Sequence, residues 1–252
     1  MTVAGAPSIP FLELLACPFC AGTLEEERDR LVCTVCARTF PVSDGAPVLL
    51  PGPTPAERAR GLVGRAVAAV VAVPAVYDLV QRLAGLEETH RRLRRMLEDG
   101  DGALVLDVGA GTGMLETILP PTARYLWLDS DLQKLAGFRA RSASPAIVGN
   151  ATTLPLADAS VDWAISSGVA HHLDDAELER MLDELRRVTL TGVVFVDAVV
   201  SGAPASRLLW RYDRGRHPRT SDTLWQAVER RFDIVAAEEF RLLHRYLLVR
   251  AV

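Results

Sequence analysis

The chain has 252 residues, 49% of them hydrophobic and 24% charged, with a formal net charge of -4. That is enough to bury one substantial core beside a small accessory module, and it excludes a protein that holds nucleic acid through a large uniform positive field. Lys134 is its only lysine, an arginine bias that points to a GC-rich bacterial genome. At the amino terminus there is no basic region followed by a long apolar segment and a small-residue cleavage site, which predicts a cytoplasmic protein.

Cys17, Cys20, Cys33 and Cys36 form C-x2-C-x12-C-x2-C, two knuckles whose four thiolates can surround one tetrahedral ion with no ligand position left open. Two disulfides are the alternative, and the missing secretion signal argues against them. The spacing predicts a structural Zn2+ that supplies folding energy to a module of roughly 50 residues, too small to build a stable core unaided. With Leu14-Leu15-Ala16-Cys17-Pro18-Phe19-Cys20 and Phe40-Pro41-Val42-Ser43-Asp44-Gly45-Ala46-Pro47-Val48-Leu49-Leu50, residues 9 to 52 resemble the small zinc-ribbon proteins that activate tRNA, rRNA and release-factor methyltransferases. In that family the ribbon is a separate partner covering an apolar surface of the enzyme, so the resemblance implies a docking or substrate-covering role, here in cis.

Residues 1–52 are therefore expected to form the ribbon, and Pro51-Gly52-Pro53-Thr54-Pro55 an extended boundary. Residues 53–99 read as linker and helical cap. Tyr77, Val80, Leu83 and Leu86 are spaced for one helix face, and Arg91, Arg92, Arg94 and Arg95 read as its solvated side. The apolar stretch from Ala66 to Val76 is too short to span a bilayer and is broken by Pro74, so no membrane partner is expected.

From residue 100 to 252 strand-like and helix-like segments alternate, the pattern of an α/β fold with a helix-covered parallel sheet. Strands are expected at 103–108, 124–128, 145–149, 161–166 and 193–199, with two more between Ile234 and Val249. Helices should begin at Thr112, Asp131, Asp174 and Asp222. In the third of these Leu178, Met181, Leu182, Leu185 and Val188 share a face, and Asp174 with Glu177 makes a capping box.

The first strand runs into Asp107-Val108-Gly109-Ala110-Gly111-Thr112-Gly113. Its glycines allow positive φ and close approach of a ligand, and the following helix start offers unpaired N–H groups. Asp107 would repel a pyrophosphate and attract an ammonium or sulfonium, so the turn suits S-adenosylmethionine better than NAD. Together with Leu128-Asp129-Ser130, Gly149-Asn150-Ala151 before Leu154-Pro155, Val161-Asp162 and Ser167-Gly168-Val169-Ala170-His171-His172-Leu173, this segment resembles the class I S-adenosylmethionine-dependent methyltransferases, especially the ubiquinone and menaquinone branch. The resemblance implies a Rossmann-like seven-stranded sheet. It also implies cofactor roles: Asp107 toward the methionine ammonium, Gly109, Ala110, Gly111 and Gly113 as the cradle, Asp129 and Ser130 at the ribose, Asn150 and Ala151 at the adenine, and Ser167 beside the sulfonium. The family usually has aspartate where Asn150 stands; its amide oxygen can still accept a bond from the adenine amino group.

Methyl transfer is an in-line displacement, and a base helps only acceptors that must lose a proton. His172 is the first candidate, His171 its neighbour, and His217 an alternative within the expected substrate loop from Arg207 to Arg219, whose Trp210, Arg211, Tyr212, Asp213, Arg214 and Arg216 suit a planar or anionic acceptor. His90 and His244 carry no pattern. The expected function is methylation of a small biosynthetic intermediate on oxygen, nitrogen or carbon. An rRNA or tRNA base methyltransferase is the alternative, followed by a noncatalytic activator or a sulfonium-dependent cyclase; oligomeric state is not legible.

Overall fold

Leu104-Val105-Leu106-Asp107-Val108 is apolar enough to be covered on both sides, as a parallel strand inside a sheet requires, and β5 (Leu104–Val108) is buried at every position. The computed structural model describes residues 9, 11–51, 86–98, 100–201, 206, 210, 215–241 and 244–252. The linker beyond Pro51 and the expected cap through residue 85, with Ala66 to Val76, Tyr77, Val80 and Leu83, lie outside the described residues, as do Arg207, Arg211, Tyr212, Asp213 and Arg214.

The remaining elements, in chain order, are β1 (Leu24–Glu27), β2 (Arg30–Cys33), β3 (Thr39–Ser43), β4 (Ala46–Leu49) and α1 (Leu86–Met96) before β5; then β6 (Arg124–Asp129), α2 (Leu132–Arg139), β7 (Ala146–Gly149), β8 (Val161–Ser167), α3 (Asp175–Val188), β9 (Thr189–Val199), α4 (Ser221–Glu229), β10 (Ile234–Arg241) and β11 (Arg245–Ala251). Among the described residues these strands form one sheet of order β1-β2-β3-β4-β7-β6-β5-β8-β9-β11-β10. The seven strands of the expected sheet are β5 to β11, with a parallel core closed by the antiparallel pair β11 and β10.

The ribbon continues this sheet. Its last strand, β4, lies parallel to β7 with Val48 opposite Val148 and Leu49 opposite Gly149. Asp44 and Gly45, both at positive φ, make the tight turn that feeds β3 into β4. A second seam forms where Ala16 N–H donates to the Pro155 carbonyl at 3.1 Å and Ala157 N–H to the Leu14 carbonyl at 2.8 Å. Phe11, Leu15, Leu31, Phe40 and Leu49 then share a core with Leu128, Ile147, Leu154 and Leu156. The expected docking role thus takes the form of sheet extension with a common hydrophobic interior.

In α3 the five expected apolar residues are buried, and the Asp174 and Glu177 capping box is present. The other face of the sheet is covered by α1, whose Leu93 packs with Leu97, Val105, Trp163, Ile165 and Val196. Arg91, Arg94 and Arg95 are exposed, as a solvated helix side requires, whereas Arg92 is half-buried over the Phe240 ring and pairs with Glu238 at 2.7 Å. One expected helix is shorter than its pattern suggests. After the glycine turn there is only a 3-10 segment, Met114–Ile118, because left-handed Gly111 and Gly113 delay the start and Pro120-Pro121 ends it. Asp162 accepts the Leu104 N–H at 2.7 Å and so ties β8 to β5. No helix among the described residues is long and apolar enough to cross a membrane.

Candidate cofactor site and metal centre

The two cysteine knuckles are built alike. In each, the N–H group four residues after the first cysteine turns back to that cysteine's carbonyl, Ala21 to Cys17 at 2.8 Å and Ala37 to Cys33 at 3.0 Å, with both alanines at positive φ. The four Sγ atoms lie within 4.8 Å of one another, with Cys17 to Cys36 at 3.7 Å and Cys20 to Cys33 at 3.5 Å. An ion with four Zn–S bonds of about 2.3 Å needs sulfurs about 3.8 Å apart, so the cage fits tetrahedral Zn2+ and leaves no open position.

At the carboxyl ends of the parallel strands the glycine turn is fastened to β6. Gly109 and Ala110 N–H groups donate to the Leu128 carbonyl at 2.8 and 3.0 Å, and the Trp127 indole donates to the Gly111 carbonyl at 3.0 Å. Gly109 has φ +74, and a Cβ there would come within 2.4 Å of Val169; at Gly113, φ +75, it would meet the Phe138 ring at 2.4 Å. Side chains are therefore excluded from the cradle on two counts.

Asp107 is buried at the end of β5 and accepts the Tyr125 hydroxyl at 2.6 Å. Burial, reinforced by Asp129, lifts its pKa to about 7 against the lowering effect of Tyr125 and Lys134. Asp129, at the end of β6, accepts from three donors: Gly111 N–H at 3.0 Å and Lys134 Nζ at 2.9 Å on Oδ2, and Asp131 N–H at 3.0 Å on Oδ1. Ser130 follows it, and Asp131 caps α2. Beyond β7, the amide oxygen of Asn150 accepts both the N–H and the hydroxyl of Thr152 at 3.0 Å. That oxygen is committed to a local turn, so the NH2 group is the end of Asn150 with donors to offer, and half-buried Ala151 follows it.

Ser167 closes β8, and Gly168 turns the chain at φ +68 into the short 3-10 segment Ala170–His172. His171 has a carboxylate partner. Its Nδ1 lies 2.6 Å from Asp197 Oδ1, while Asp197 Oδ2 accepts the Ala170 N–H at 2.6 Å. The His172 ring lies tilted against that of His171 at 4.1 Å between centroids, and the backbone N–H of His217 donates to the His171 carbonyl at 3.0 Å, which ties the two segments together. Gly215 presses on the His171 ring, where a Cβ would be 2.3 Å from Cδ2, and Trp210 meets it edge-on at 5.9 Å. Trp210 in turn contacts His244, which no sequence pattern had marked.

Arg219 locks this loop. Buried, it donates to the carbonyls of Ala170 and Leu173, each at 2.8 Å, and to Asp175 Oδ1 at 2.7 and 2.9 Å. Asp197 was not marked from sequence, and Arg219 only as the end of the expected substrate loop. The available signal was Asp197 itself, an acid inside the apolar run Val193 to Val199, where a buried charge needs a partner.

Residues 106–196 match the family model for a methyltransferase domain, and residues 9–45 that for a Trm112p-like protein. The chain carries an S-adenosylmethionine-dependent methyltransferase domain behind a Trm112p-like ribbon. The methyltransferase domain is 36% identical over 131 residues to demethylmenaquinone methyltransferase of Renibacterium salmoninarum, covering 50% of this chain and 54% of that protein. An uncharacterized methyltransferase of a Mycobacterium species is 36% identical over 93 residues, 36% of either chain, so this chain spans about a third of the length of the curated relatives first matched. A chain in the solved complex between the Haloferax volcanii Trm112 methyltransferase activator and the putative methyltransferase shares the fold, with TM-score 0.58 and 16% identity over 71% of this chain and 97% of that one.

Proposed function

We propose that the protein transfers a methyl group from S-adenosylmethionine to a small acceptor whose reacting oxygen, nitrogen or carbon must lose a proton. The observation that carries this reading is the His171–Asp197 pair at the ends of β8 and β9, next to Ser167. A carboxylate on Nδ1 keeps the proton there and leaves the basic lone pair on Nε2. The ring is 12% exposed among Trp210, Gly215 and His172, which supports an acceptor small enough to enter an enclosed mouth.

The sulfonium supplies the electrophilic methyl group; the chain's residues align and shield the partners. Asp107 receives the ammonium, Gly109, Ala110, Gly111 and Gly113 admit the cofactor backbone, and Asp129 with Ser130 takes the ribose. Asn150 faces the adenine as a donor through its NH2 group, with the Ala151 backbone beside it. His171 removes the acceptor proton, and His172 and His217 line its approach. The four cysteines hold Zn2+ as a structural ion.

The test is incubation of the zinc-loaded chain with methyl-labelled S-adenosylmethionine and, separately, total RNA and a low-molecular-weight cell extract. Label in the extract, lost in His171→Asn, is the expected result. Label in RNA alone would overturn the small-acceptor reading, and failure to bind S-adenosylhomocysteine would overturn the cofactor assignment.

A further inference from the structure

Lys134 occupies the acid that the ribose would use. Its ammonium sits 2.9 Å from Asp129 Oδ2, the two charges pairing across the first turn of α2. A carboxylate offers about four lone-pair positions. Three of Asp129's are taken: Oδ2 accepts from Gly111 N–H and Lys134, Oδ1 from Asp131 N–H. Two of those donors are backbone groups fixed by the fold. One position remains, whereas a ribose diol brings two hydroxyl donors. Access agrees with this count, because Asp129 is only 3% exposed while Lys134 beside it is 46% exposed at its side chain.

We infer that Lys134 is an intramolecular competitor for the ribose subsite, so that the adenosyl ligand binds Asp129 in full only after the Lys134 ammonium has swung away. This rests on the reading of Asp129 as the ribose acid. The pair is half-open to solvent and ends a long flexible side chain, so it is weak enough to be displaced and is screened by salt. Lys134 therefore sets how much of the diol's binding energy appears as affinity. Its release also gives the cofactor's occupancy an ionic-strength dependence that a neutral residue at this position would not.

The experiment is calorimetric titration of the zinc-loaded full chain with S-adenosylhomocysteine, whose amino-acid charges cancel, across a series of sodium chloride concentrations. With only the Lys134 end of the pair open to water, Lys134→Gln should bind about twofold to fivefold more tightly at low salt. Affinity of the unmodified chain should rise with salt toward that of the variant, while the variant stays flat. Lys134→Arg, keeping the cation, should keep the weaker, salt-sensitive binding. Thermal midpoints check that each variant folds. Equal or weaker binding by Lys134→Gln, with the same salt dependence as the unmodified chain, would overturn the competition. Unchanged binding by Asp129→Asn would overturn the ribose reading beneath it, and no binding by any of them would overturn the cofactor site as a whole.

Discussion

His171 on the loop after β8 and Asp197 near the end of β9 meet at 2.6 Å, and the second carboxylate oxygen of Asp197 holds the backbone of that same loop at Ala170. One acid thus anchors both the imidazole and the loop that carries it. Replacing Asp197 by Asn should lower methyl-transfer turnover by about 100-fold or more while leaving the affinity for S-adenosylhomocysteine unchanged. His171→Asn should match it, and His172→Asn should cost far less. Full turnover in His171→Asn would show that the acceptor needs no base from this residue.

Asp107 gives the protein two opposed pH responses. Its pKa stands at about 7, raised first of all by burial. Between the ordinary aspartate range and pH 7, the ligand-free native state therefore keeps a proton that the unfolded chain has lost, so stability falls as pH rises through that window. Pairing with an ammonium needs the carboxylate, so cofactor affinity should climb from about pH 6 to pH 8. Melting and calorimetry across this range should show the two trends crossing. Asp107→Asn should flatten both; a pH-independent affinity in the unmodified chain would refute the pairing.

Metal removal should act at a distance along the sheet. The cage anchors the hairpins that lead into β4, and β4 is bonded to β7 at Val148 and Gly149, immediately before Asn150. A strong chelator, or Cys33→Ser, should lower the melting temperature and raise amide exchange in β7 before β9 is affected. Unaltered β7 protection in the metal-free protein would show that the ribbon strand holds without its ion.

Gly109 tolerates no side chain. At φ +74 with Val169 in the path of a Cβ, Gly109→Ala combines backbone strain with a clash. The cost should be about 2 kcal/mol or more in stability, read from denaturant unfolding. Gly45→Ala, also at positive φ but with open space around it, should cost less. Equal effects would mean that Val169 gives way freely.

The legible parts of the sequence were those governed by local rules. Helix α3 shows its buried face in five apolar side chains and its capping box in two acids, and the β5 run followed by glycines announces a strand and a cradle. What stayed hidden depends on contacts that no periodicity records. Nothing local in Ala46 to Leu49 says that Val48 and Leu49 pair with a strand a hundred positions later. Lys134 reaches Asp129 across the junction of a strand and a helix, where neither the period of 2 nor that of 3.6 applies. The partnership of His171 with Asp197 likewise depends on the strand register that pairs Ser167 with Val196.

The parallel pairing of Val48 with Val148 also sets a problem of timing. A chain is made from its amino terminus, so β4 emerges from the ribosome well before β7 exists, and its bonding edge must stay open in the interval. An unpaired edge is a site for wrong associations during synthesis. The Asp44-Gly45 turn folds β4 back on β3 as a hairpin meanwhile, so one of its two edges is already covered when β7 arrives to take the other.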